Sequence, residues 1–185
     1  VIMMNKPEDM LEALKKWEQD LAVYFLPSWE DLPTIELYMD QVVALMGQYL
    51  AIADQKSETH LPVITASTIN NYVRLKLLPP PRKKRYSRLH LAYLLMICAL
   101  KPTMSISDLQ KLLPYDLDEA QMQQIYSDFV SAHAKTSLYF LEQVKNLEPK
   151  ATEQSMRTFI CQSAIISGLV QSLNEQLLST NKTEK

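Results

Sequence analysis

Only two glycines, Gly47 and Gly168, occur in 185 residues, and that scarcity removes most of the ways such a chain can fold. Tight turns between strands need residues that tolerate positive φ, which glycine does without strain. A chain short of glycine and rich in Leu, Ala, Met, Gln, Glu and Lys favours helices. Ten prolines then mark where helices stop, because proline inside a helix removes a hydrogen bond and clashes with the preceding turn. Hydrophobic residues make up 47%, enough for a core, and charged residues 22%, near the globular average, so wholesale disorder is not expected. The length suits one compact domain or two small ones. A mainly α fold is the expectation.

Hydrophobic spacing divides the chain further. Met10, Leu14, Trp17, Leu21 and Phe25 recur at three- and four-residue steps, which predicts a helix over residues 7–26, stopped by Pro27. Pro33 suits the first turn of a second helix, 34–53, with Ile35, Tyr38, Met39, Val42, Val43, Met46 and Leu50 on its apolar face. A polar loop, 54–60, follows. Thr65 and Ser67 are both candidate caps for a short helix, 66–75. Pro79, Pro80 and Pro81 forbid helix, Arg82 to Arg85 form a basic tip, and Ser87 is a credible cap for a helix over 87–101. That helix is apolar on almost every side and should be the buried centre. Ser105 to Asp108 fits a capping box opening a short helix through Leu113. Two long helices, 117–147 and 151–178, end the pattern. In the last one Phe159, Ile160, Ala164, Ser167, Val170 and Leu173 are the inward candidates. The expected division is an N-terminal helix (1–28), a central domain (29–114), a helical region (115–178) and a frayed tail (179–185).

Charge is distributed unevenly. From Thr59 to Ser107 there is no Asp or Glu, yet the stretch holds Arg74, Lys76, Arg82, Lys83, Lys84, Arg85, Arg88 and Lys101. The remaining residues carry eleven basic against twenty-one acidic side chains. A basic segment inside an acidic protein suggests a surface facing a polyanion. No basic region followed by an apolar run opens the chain, and the longest apolar run, 91–100, is short of the ~18 residues a membrane span needs. A cytoplasmic protein is expected, and Cys98 and Cys161 read as reduced, buried thiols, with a redox sensor as the alternative.

Signals for catalysis are thin. His60, His90 and His133 stand apart from one another and from any cysteine or carboxylate at metal spacing. Glycines at 47 and 168 cannot build a phosphate loop. No nucleophile and base can be paired. The expectation is a protein that is not an enzyme and needs no metal or cofactor.

The acid-free window instead carries a constellation suited to nucleic acid. In the helix 66–75, Ile69, Tyr72 and Val73 share one side, which leaves Ser67, Asn70, Asn71 and Arg74 to face outward. Asn suits adenine edges, and Arg suits guanine or phosphate. The four consecutive cations Arg82, Lys83, Lys84 and Arg85 repel one another and are easiest to tolerate when a polyanion neutralises them. Thr68-Ile69, Tyr72, Arg74, Leu77-Leu78, Pro80, Arg85-Tyr86 and Ser105-Ile106-Ser107-Asp108-Leu109 occur in order. That order resembles the MerR-type winged helix-turn-helix: recognition helix, proline- and arginine-bearing wing closing on tyrosine, central helix, capped short helix. MerR-type sequences usually carry glycine where Lys76 stands, and an arginine and an aromatic where Asn70 and Asn71 stand. More closely, the chain resembles an uncharacterised bacterial family, domain of unknown function family 1836, over about residues 30–140.

The resemblance implies a winged helix-turn-helix with a small β-wing, and a DNA-binding transcriptional regulator. Ser67, Thr68, Asn70, Asn71 and Arg74 would read bases or phosphates in the major groove. Arg82, Lys83, Lys84, Arg85, Tyr86 and Arg88 would grip flanking phosphates. The expected partner is double-stranded DNA, with no membrane and with a homodimer doubling the site. Two alternatives remain open: a protein-interaction adaptor that keeps the fold without DNA binding, and a ligand-binding protein whose last two helices form an effector pocket.

Overall fold

Prolines and hydroxyl caps set the helix ends in the computed structural model, which describes residues 7–23, 25–54, 64–147 and 152–180. Among these residues there are seven helices: α1 (Pro7–Val23), α2 (Met39–Asp54), α3 (Ala66–Arg74), α4 (Arg88–Leu100), α5 (Ile106–Leu112), α6 (Glu119–Leu147) and α7 (Glu153–Thr180). Thr65, not Ser67, caps α3, its Oγ1 accepting from the Thr68 N–H at 3.1 Å. Ser105 caps α5 in the same way through the Asp108 N–H at 3.2 Å. Asp118 and Gln121 exchange bonds between side chain and backbone at the start of α6. Most of the polar loop expected over 54–60 lies outside the described residues, as does most of the expected tail.

Two compact units divide the chain: Tyr24–Lys135, and Val1–Val23 with Thr136–Lys185. The first holds the main core. Every residue of α4 from Leu91 to Cys98 is buried, as expected of a helix apolar on all sides. Val42 and Met46 of α2, Ile69 and Tyr72 of α3, Leu109 of α5, and Met122 and Tyr126 of α6 complete that core. The compact unit therefore runs past the boundary expected at residue 114. Tyr126 fixes this extension by donating from its hydroxyl to the Pro27 carbonyl at 2.8 Å. In the second unit Leu141, Val144 and Met156 are buried, and Lys145 pairs with Glu18 at 3.2 Å.

Three expectations need correction. Helix α2 begins at Met39, because residues 34–38 are spent elsewhere: Leu37 and Tyr86 exchange both backbone hydrogen bonds at 2.8 Å. Residues 25 and 26 lie beyond α1, and Leu26 is buried in the core of the first unit. The β-wing is reduced as well. Among the described residues there is no strand, only the isolated bridges Leu37–Tyr86 and Arg82–Arg85. Pro79, Pro80 and Pro81 explain this, since three successive residues without an N–H cannot donate to a ladder.

Candidate nucleic-acid interface

Helix α3 presents its polar residues as its spacing predicts. Ile69 and Tyr72 are buried, while Ser67, Asn70 and Arg74 are exposed and Thr68 and Asn71 partly so. Asn71 Oδ1 accepts from Arg74 Nη2 at 2.7 Å, which holds the guanidinium against the helix surface. The Thr68 hydroxyl lies 2.9 Å from that of Thr65, within the cap. Ser67, Thr68, Asn70, Asn71 and Arg74 together line an open groove of about 680 Å³. Lys101, at the C-terminal end of α4, lines the same groove, and among the described residues no carboxylate does. Sequence reasoning assigned Lys101 no contact. Its signal was its place in the acid-free window, next to the proline that ends α4.

The end of α3 explains how the window turns back on itself. The Leu77 N–H donates to the Tyr72 carbonyl at 2.9 Å and the Lys76 N–H to the Val73 carbonyl at 3.0 Å. This is a Schellman cap, which needs a left-handed residue at its turning point. Lys76 is that residue, with φ 54°. A lysine, not a glycine, holds the left-handed backbone at this cap. Gln110 of α5 braces this corner through the Leu75 carbonyl.

A second left-handed site lies at the basic tip. The Arg85 N–H donates to the Arg82 carbonyl at 2.9 Å, and the two residues between them, Lys83 and Lys84, have φ 50° and 63°. Positive φ at both central residues is the signature of a type I′ turn, which strongly favours Asn-Gly. Among the described residues, the non-glycine positions with positive φ are Lys76, Lys83 and Lys84, all of them cations of the acid-free window. Each costs about 1–2 kcal/mol relative to a relaxed backbone.

The remaining assigned residues separate into exposed and committed. Arg82, Lys83 and Lys84 are exposed. Arg85 is exposed too, but its Nη2 donates to the Tyr38 hydroxyl at 2.9 Å and its guanidinium lies 4.8 Å from the Tyr38 ring centre. Tyr86 is only 2% exposed, with its ring edge-on to His90 at 5.4 Å, and burial raises its hydroxyl above the usual phenol range. Arg88 Nε and Nη2 donate to the Leu32 carbonyl at 3.1 and 2.7 Å, with the guanidinium 5.4 Å from the Trp29 ring centre. Tyr86 and Arg88 thus help to hold the basic turn to the core. The groove brings the α3 residues together with Lys101; residues 82–88 are not part of its lining.

His90 joins the turn to α4. Its Nδ1 accepts from the Ser87 N–H at 3.0 Å, and its Nε2 faces the Pro80 carbonyl at 3.5 Å. This arrangement requires a neutral ring with the proton on Nε2. Burial lowers the His90 pKa, opposed by the Pro80 carbonyl and by Glu36. Burial pushes the Cys98 thiol up to about 12, whereas Cys161 is exposed, against the expectation that both thiols are buried. No cluster of His, Cys, Asp and Glu among the described residues could hold a metal ion. No helix among them is long and apolar enough to cross a membrane.

The family model of Domain of unknown function (DUF1836) matches residues 27–129, more than half of the chain. The protein belongs to that family. The match spans the acid-free window, α2 to α5 and the part of α6 that closes the core. No curated protein and no solved structure matches the chain.

Proposed function

We propose that residues 64–101 form the reading head of a double-stranded DNA-binding protein, a regulator of transcription and not an enzyme. In this reading α2 and α3 act as a helix-turn-helix of MerR-like kind, and the turn at 82–86 is a wing shortened to its tip. The observation that carries it is the groove along α3, lined among the described residues by amides, hydroxyls and two cations with no carboxylate. Such a lining suits both base edges and phosphates. The basic turn supports the same reading. Lys83 and Lys84 keep charge at two positions where Asn-Gly would relax the backbone, and stored strain of this kind points to a functional demand on the side chains.

Ser67, Asn70, Asn71 and Arg74 contact the major groove, with Lys101 on an adjacent phosphate. Arg82, Lys83 and Lys84 contact phosphates outside it, while Arg85, Tyr86 and Arg88 position the turn. A cytoplasmic location accompanies this role. A second reading, an adaptor for an acidic protein, is favoured by one feature: Ile35 and Tyr38 are 67% and 48% exposed, and Tyr38 carries Arg85. Fluorescence anisotropy separates the two. A DNA-binding head takes up labelled duplex DNA at low salt and loses it when Arg82, Lys83 and Lys84 are changed together to Glu. An adaptor ignores the duplex in either form.

A further inference from the structure

Helix α7 is 28 residues long, about 42 Å at the α-helical rise, and most of its aliphatic side chains face solvent. Phe159, Ser163, Ile166, Val170, Leu173 and Leu177 follow one another at alternating steps of four and three. This is a strict seven-residue repeat, the pattern that keeps one seam facing a second helix in a left-handed supercoil. Ile166, Val170, Leu173 and Leu177 on that seam are 56%, 49%, 53% and 58% exposed, and Leu169 beside it is 66% exposed. With Leu169, the uncovered aliphatic surface along this face is on the order of 500 Å². That is as large as the largest patch of an ordinary monomer and more than half of the ~800 Å² that each partner gives to a standard interface.

The chemistry of the seam restricts the occupant. Residues 158–174 contain no Asp, Glu, Lys or Arg, so a partner selected by charge finds nothing to pair with there. A neutral aliphatic stripe edged by Ser and Gln matches itself, and a two-fold axis lets the same surface serve both sides. We infer that α7 is the dimerisation helix, its Phe159-to-Leu177 seam packing against the same seam of a second copy of this chain. The inference does not rest on DNA binding.

Light scattering on the eluting full-length protein at micromolar concentration tests it without nucleic acid. The expected result is twice the chain mass, falling to one chain mass in Ile166→Glu/Leu173→Glu with the helical circular dichroism of the free chain retained. If the glutamate variant does not fold, Ile166→Ala/Leu173→Ala replaces it and should weaken the dimer at least tenfold. A wild-type monomer, a trimer or tetramer, or a dimer indifferent to both pairs of changes overturns the inference.

Discussion

Helices α4 and α7 are both rich in aliphatic residues, yet among the described residues one is the most buried element and the other the most exposed. In α4 apolar side chains point in every direction, and the surrounding helices cover them on every side. In α7 they follow a seven-residue repeat along one stripe, and nothing among the described residues covers it. Apolar content therefore tells that a helix needs burial, while the period of that content tells whether it needs cover on every side or along one stripe. The surface proposed to face DNA lies with neither. It lies on the short segments that α4 supports, where cations are held at positions poorly suited to them.

The largest expected effect separates the two helices directly. Leu94→Ala in α4 should lower unfolding free energy by about 3 kcal/mol in urea titrations, as for a fully buried leucine left with a cavity. Leu173→Ala in α7 should change the stability of the isolated chain by less than about 0.5 kcal/mol, and equal losses at both sites would break the comparison.

Next comes the contrast between a committed and a free cation. Arg88→Ala removes two hydrogen bonds to the Leu32 carbonyl and the contact with Trp29, at an expected cost of about 2 kcal/mol. Arg82→Ala should leave stability within about 0.5 kcal/mol and act on duplex affinity alone.

Smaller and opposite in sign is the effect of relaxing the turn. Lys83→Asn/Lys84→Gly should stabilise the protein by about 1–2 kcal/mol while weakening DNA binding, since it supplies the residues a type I′ turn prefers and removes two charges. A stabilised variant with undiminished affinity would detach the strain from the function.

The smallest effect is that of pH. Burial holds His90 and His133 below the ordinary value of 6.5, so each is neutral in the folded protein while the unfolded chain takes up the proton first. Their contribution is complete above about 6.5 and is lost as pH falls toward the folded values. Thermal unfolding from about pH 7.5 down to about pH 5 should show a falling Tm, and His90→Asn should flatten part of it.

Most of the helical framework was legible in the sequence because prolines and hydroxyl caps act locally. Thr65, Ser105 and the prolines at 102 and 114 set their boundaries whatever packs around them. What escaped depends on residues distant in the chain. Ile35, Tyr38 and Met39 fit a helical period, but Leu37 pairs with Tyr86, which no local pattern encodes. Arg88 reads as one more free cation until Leu32 and Trp29 meet it. Ile160, Val170 and Leu173 were expected to face inward and are exposed, because spacing identifies a stripe without saying which chain covers it. The polar face of α3 was legible in full, while the value of Lys101 emerged only from its place across the groove.

The salt dependence of duplex binding is the most direct measure of DNA recognition by the acid-free window. Arg74, Lys76, Arg82, Lys83, Lys84 and Lys101 are the cations of the window left to meet phosphate. If three to six of them do so in each chain, log K against log salt should fall with a slope of roughly −3 to −5 per chain. A flat slope, or no binding at low salt, would show that these cations do not meet DNA phosphates.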